Sequence, residues 1–198
     1  MKIYFASFLF WFFTVSSSAA LLPVPIFRQS TDYSCGAASL LSVLYYWGVY
    51  DGTESDLFPL LGTTPAVGTS PQGIVKGAIR FGLKATLKTE VSFEEIAEAL
   101  ARKEPVILDY QAWAEPTPVS WEKAWDDGHY GVAVDIDEKW VYLMDPVLGD
   151  RYGKIERAEF LTRWHDIDGE NKKLQRAAIF ISGRTPAGQF PMPIAVVR

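Results

Sequence analysis

The chain is short of the residues from which many active sites are assembled. Of its 198 residues one is a cysteine, Cys35, and two are histidines, His129 and His165. A single cysteine excludes an internal disulfide. Two isolated histidines and one thiol do not have the spacing of a zinc site, so no metal is expected. No glycine-rich phosphate-binding motif is present, and no cofactor is expected. Positive charge is also scarce. Nineteen Lys and Arg stand against 24 Asp and Glu, a formal net charge of -5, and no basic stripe could neutralise phosphates. That argues against a nucleic-acid partner. Beyond residue 20 no run is long and apolar enough to cross a membrane.

What remains is 48% hydrophobic and 14% aromatic, enough for one domain with a sizeable core. Residues 1–20 stand apart from it. Lys2 precedes an uncharged apolar run, 3–15, and then Ser16-Ser17-Ser18-Ala19-Ala20. This pattern predicts a secretory signal peptide cut after Ala19 or Ala20, with an uncleaved anchor as the alternative. The expected product is exported, periplasmic or secreted from a bacterium. Its folded domain is expected over 21–183, and an irregular tail with Pro186, Pro191 and Pro193 over 184–198. No repeat or second domain is visible, and a monomer is expected. A lone thiol is a liability in an oxidising compartment, so a protein that keeps Cys35 there has reason to use it.

Helical patterns come first and strand patterns later. Pro23 and Pro25 keep 21–29 extended. Ala37, Leu40, Leu41, Leu44 and Trp47 recur at helical spacing, and Gly48 closes that segment. Asp32 and Ser34 are candidate N-caps, which puts Cys35 in the first turn. Short helices are expected over 51–61, 71–81 and 158–164. A helix over 92–102 opens with the capping-box pair Ser92 and Glu95. Strands are expected over 105–110, 130–136, 140–145 and 177–182, with a loop at 62–70, a long connection over 112–128 and a turn at 149–153. This order indicates an α+β fold, a helical half packed on an antiparallel sheet.

A cysteine nucleophile needs a stabilised thiolate, a base, a group that orients the base, and donors for the oxyanion. Cys35 at a helix N-terminus would feel the positive end of the dipole. Alone it reads equally as a small buried side chain. His129 opens one strand and Asp145 ends the next. A hairpin centred on Asp137-Glu138 sets the two opposite each other on one face, with Cβ atoms about 5 Å apart. There Asp145 could hold the imidazole tautomer. His165 has Asp166 beside it but no hairpin partner, and is expected to be structural or to touch substrate. Gln29, six residues before Cys35, could donate its amide to an oxyanion together with the Cys35 N–H. Gly36 would leave room beside the sulfur for substrate backbone. Trp113, Trp121 and Trp125 precede His129 and could wall a cleft or simply pack under the loop. Asp126-Asp127 could favour a basic substrate residue or be solvated.

The blocks Val24-Pro25, Gln29, Asp32-Tyr33-Ser34-Cys35-Gly36-Ala37-Ala38, Gly128-His129-Tyr130 and Asp145-Pro146 resemble the bacteriocin-processing, double-glycine leader peptidases of the papain-like clan. The segments Gln111-Ala112-Trp113 and Arg163-Trp164-His165-Asp166 are similar to stand-alone members. The resemblance implies a papain-like fold and a cysteine-type endopeptidase. It implies Cys35 as nucleophile, His129 as base, Asp145 as orienting group and Gln29 in the oxyanion hole. Gly36, Trp113, Trp125 and Tyr130 are the expected substrate contacts. The substrate would be a protein or peptide, with a glycine-rich cleavage site as one candidate. Family members that mature bacteriocins are usually a cytosolic domain of a transporter, so an exported chain need not cut a leader. Two other readings stay open: a non-catalytic peptide-binding module of the cell envelope, and an acyl transferase using the same triad.

Overall fold

The computed structural model describes residues 21–118, 120–184 and 186. The signal peptide expected at 1–20 and nearly all of the tail expected at 184–198 lie outside the described residues. The first helix, α1 (Cys35–Tyr46), is buried almost end to end, because small residues Gly36, Ala37, Ala38, Ser39 and Ser42 let it approach the sheet closely. Its two buried serines behave differently. Ser39 Oγ donates across to the Tyr130 carbonyl at 3.2 Å, whereas Ser42 Oγ donates back to Ala38 O at 3.1 Å and lies 3.6 Å from Met144 Sδ.

Three further helices follow, α2 (Glu54–Leu61), α3 (Pro71–Arg80) and α4 (Phe93–Ala101). Each has a start signal in its sequence. Thr53 and Asp56 form a capping box, Ser70 accepts from Gly73 N, and Ser92 and Glu95 form the expected second box. The strands are β1 (Lys84–Lys88), β2 (Val106–Gln111), β3 (Gly128–Ile136), β4 (Trp140–Met144), β5 (Tyr152–Glu156), the pair β6 (His165–Ile167) and β7 (Lys173–Gln175), and β8 (Ala178–Ser182). Helix α5 (Arg157–Arg163) lies between β5 and β6. The main sheet has six strands in the order β1-β8-β2-β3-β4-β5, every pair antiparallel. The expected α+β architecture is therefore present.

All six residues of β2 are buried, so both faces of the sheet are covered at its centre. Helices α1 and α4 pack on β3, α3 on β1, and α5 against β2, β4 and β5. Four strands had no sequence expectation. Strands β1 and β5 are edge strands with alternating half-exposed positions, and β6 and β7 have three residues each. The turn expected over 149–153 is in fact the entry to β5.

The hairpin of β3 and β4 departs from the expected register in an informative way. Its turn lies later, with Asp137 N donating to Trp140 O at 3.0 Å. Near the turn Ile136 faces Val141 and Asp135 faces Tyr142; beyond an irregularity at Val134, Ala133 faces Leu143 and Val132 faces Met144. Val134 is one extra residue, a β-bulge. Its carbonyl is taken by Leu22 N at 2.8 Å, so the N-terminal segment is fastened to the bulge. Continuing the second register sets Asp145 opposite Gly131, two residues from His129 and on the same face. Without the bulge Asp145 would face Val132, and His129 would point away from it.

Candidate active site

Cys35 begins α1, and the geometry leaves the donors of that helix end free. Ser34 occupies the N-cap position but makes no side-chain cap, and the first turn contains no acidic residue. The Ser34 hydroxyl turns back to Thr31 instead, accepting from its N–H at 3.1 Å. The first intrahelical bond is Ala38 N to Ser34 O at 3.0 Å. The N–H groups before it, and the positive end of the dipole, are thus available to an anion at the Cys35 sulfur or beside it.

His129 and Asp145 are each 5% exposed. His129 Nε2 lies 3.1 Å from Asp145 Oδ1, which fixes Nε2 as the protonated nitrogen and leaves Nδ1 for the Cys35 thiol, with which the ring also hydrogen-bonds. The contact is diagonal across the hairpin rather than between directly opposed residues, a correction to the expected register. Gly131 leaves room for a further partner of Asp145. A Cβ there would stand 3.1 Å from the Tyr110 hydroxyl, which needs this space to reach Asp145.

Asp145 is held on both oxygens. Tyr110 Oη and Trp113 Nε1 donate to Oδ2 at 3.0 and 3.2 Å, and Val147 N donates to Oδ1 at 2.9 Å. Burial works against its charge, but the bonds from His129 and these donors outweigh it and hold the carboxyl below its ordinary range. For His129 burial pulls the imidazole down, while Asp145 and a Cys35 thiolate push it up, to about 9. The site therefore favours the imidazolium form of His129 beside Asp145.

Gln29 is drawn to the same corner. Its N–H donates to Pro146 O at 3.0 Å, directly after Asp145, and its side-chain amide donates to Thr31 O at 2.7 Å. One amide N–H remains unassigned. Glu54, at the start of α2, fastens the loop by accepting from Ser30 N at 2.9 Å.

The remaining expected residues divide. Tyr130 and Trp125 line a cavity of about 280 Å³ that also contains Cys35. Gly36 does not line it. A Cβ at Gly36 would lie 2.8 Å from Thr69 Cβ and 3.1 Å from Tyr130 Cδ2, so that glycine admits protein rather than substrate. Trp113 also lies elsewhere, over Asp145, with a backbone φ of 63°. That left-handed conformation is strained for a bulky residue. A larger cavity of about 720 Å³ opens on the Trp113 side of Asp145, but it contains no thiol and the smaller one does. His165 is buried, its Nε2 2.7 Å from Ala124 O and its ring against Trp125, and it has no contact with Asp145. Among the described residues no group of three His, Cys, Asp or Glu could hold a metal.

Tyr110, Gly131 and Glu54 carried no sequence signal of their own. Tyr110 faces His129 through the pairing of β2 with β3, which is joined by a connection of no fixed turn length. Only a known register could have found it.

A thiol at the N-terminus of a buried helix, set against a sheet that carries a histidine and a carboxylate, defines the papain-like class of cysteine peptidase folds. The chain belongs to the Peptidase_C39 like family, whose sequence profile matches residues 21–171. An uncharacterized protein of Methanothermobacter thermautotrophicus is 34% identical over 125 residues, 63% of this chain and 72% of that protein. Two solved structures share the fold. A putative C39-like peptidase from Bacillus anthracis has a TM-score of 0.62 at 20% identity, over 83% of this chain and 97% of that one. A double glycine motif protease from an AMS/PCAT transporter, solved in complex with the leader peptide, has a TM-score of 0.57 at 21% identity, over 83% and 94%.

Proposed function

We propose that the protein is an exported cysteine endopeptidase acting on a protein or peptide through Cys35, His129 and Asp145. The observation that carries the reading is the buried contact between His129 Nε2 and Asp145 Oδ1, which leaves Nδ1 to Cys35. His129 takes the thiol proton, and the thiolate attacks the scissile carbonyl carbon. The tetrahedral oxyanion is received by the Cys35 N–H and by the unassigned amide N–H of Gln29. The imidazolium returns its proton to the departing amine, leaving a thioester. Water, deprotonated by His129, then releases the acid and restores the thiol. The uncapped start of α1 supports the nucleophile, and the Pro146 and Glu54 contacts support the placement of Gln29.

Export is supported by the residue pattern of 2–20. The test compares envelope and secreted proteins of cells that make the wild-type chain or Cys35→Ala. New protein N-termini that require Cys35 are expected, together with free carboxyl groups on the upstream fragments. Identical termini in the two strains would contradict the proposal. Cys35-dependent products with an amide at the cut would assign acyl transfer instead.

A further inference from the structure

Residues alternate across a strand, so the β2–β3 pair presents two different networks. Tyr110 and His129, which face each other, belong to the triad side. Their neighbours Asp109 and Tyr130 also face each other and lie on the opposite side of the sheet. Asp109 is 3% exposed, and its Oδ1 has no hydrogen-bond partner among the described residues. Asp109 contacts Asp166 and Tyr130, both of which line the cavity that contains Cys35.

Asp166 is built into that wall. Gln111 Nε2 donates to its Oδ1 at 2.9 Å, and a Cβ at Gly128 would collide with its carboxylate. Burial raises both Asp109 and Asp166 above the ordinary carboxyl range, and proximity to Asp166 raises Asp109 further. Two buried carboxyls in contact cannot both ionise freely, so the pair shares a proton and carries one charge between them.

That charge meets no cation in the cavity wall. The charged residues lining the cavity are Asp32, Asp126, Asp166 and Asp168, with no Lys, Arg or His. Asp168 is engaged by the N–H groups of Glu170 and Lys172 at 3.0 and 2.9 Å. Outside the wall, His165 Nε2 is turned to Ala124 O and the Lys173 amine onto the Trp125 ring at 4.2 Å. A half-buried carboxylate without a counterion is costly, and a cation entering the cavity would offset that cost.

We infer that Asp166, backed by Asp109 and Tyr130, is a recognition site for a positively charged group of the substrate, a Lys or Arg side chain or a free α-amino group, beside Cys35. The inference rests on the proposed function only in calling the ligand a substrate. It assigns the Cys35 cavity a preference that neither the fold nor the triad contains.

The lone cysteine allows a test that needs no known substrate. Methanethiosulfonate reagents transfer their thiol portion to a thiolate, forming a mixed disulfide and releasing methanesulfinate. A cationic reagent (2-trimethylammonioethyl), a neutral one (methyl) and an anionic one (2-sulfonatoethyl) are reacted with the protein and with 2-mercaptoethanol as reference. The cationic-to-anionic rate ratio at Cys35 is expected to exceed the reference by about tenfold, the size of one partly screened ion pair. Asp166→Asn, confirmed as folded by circular dichroism, should bring it close to the reference. A wild-type ratio equal to the reference overturns the proposal whether or not the variant folds. So does an unchanged ratio in folded Asp166→Asn. The neutral reagent reads thiol activation separately. A slow neutral rate with charge preference would contradict the peptidase and keep the cation site, and a fast rate without preference would do the reverse.

Discussion

Asp145 receives hydrogen bonds from His129, Val147, Tyr110 and Trp113. All four partners donate, so only a group that accepts on both oxygens fits. Asp145→Asn puts an NH₂ against two of these donors, whichever way the amide is turned. It also removes the charge that holds His129 up at about 9. The expected result is a fall in Cys35 reactivity of about 10- to 100-fold, with the alkaline limit of the pH profile moved to lower pH. Rates of Cys35 alkylation against pH check both parts. Trp113→Phe keeps the ring and deletes one donor. Reactivity should fall by less, about 2- to 10-fold, with the same direction of pH shift. A Trp113 that only packed would leave the pH profile in place.

The elements position these residues by features of different legibility. Helix α1 could be read because its apolar period, its closing glycine and its small residues agree. The hairpin could be read only to its face. Two strands and a polar turn were visible, but a bulge is a backbone event, and Val134 looks like any other strand valine. The expected register was wrong by two residues. His129 and Asp145 kept a common face because two is an even number in a structure of period 2. Deleting Val134 should therefore separate His129 from Asp145 and abolish Cys35 activation. Removing the Ser39 bond to Tyr130 O by Ser39→Ala should cost only about 1 kcal/mol and leave reactivity in place. Gly36 makes room for Thr69 and Tyr130 rather than for substrate backbone. Gly36→Ala forces Cβ against Thr69 and Tyr130 and should cost about 1–3 kcal/mol, read as a lower urea midpoint. Tyr110, Glu54 and the Asp109–Asp166 pair stayed hidden because each depends on a contact between distant segments rather than on local pattern.

For the whole molecule the buried charges set how stability varies with pH. His129 is raised from 6.5 to about 9, so its contribution is complete below 6.5 and is lost as pH rises through about 9. Asp145 is depressed, so its contribution is present above the ordinary carboxyl value of 3.8 and is lost as pH falls through its lower native value. Asp109 and Asp166 are raised, so stability declines from 3.8 upward as the unfolded chain releases their protons first. The melting temperature should therefore be highest near about pH 4 and fall toward pH 9. His129→Ala should remove the last part of that fall, and Asp109→Asn the earlier part. A flat profile from pH 5 to 9 would count against both buried networks.

In the proposed function a lone thiol in an apolar helix is a nucleophile because His129 takes its proton. The rate of Cys35 alkylation by iodoacetamide at pH 6.5, in the wild-type chain and in His129→Ala, tests this most directly. The wild-type protein should react faster by about 100-fold or more, since His129→Ala leaves no base to take the thiol proton. Equal rates in the two folded proteins would contradict the account.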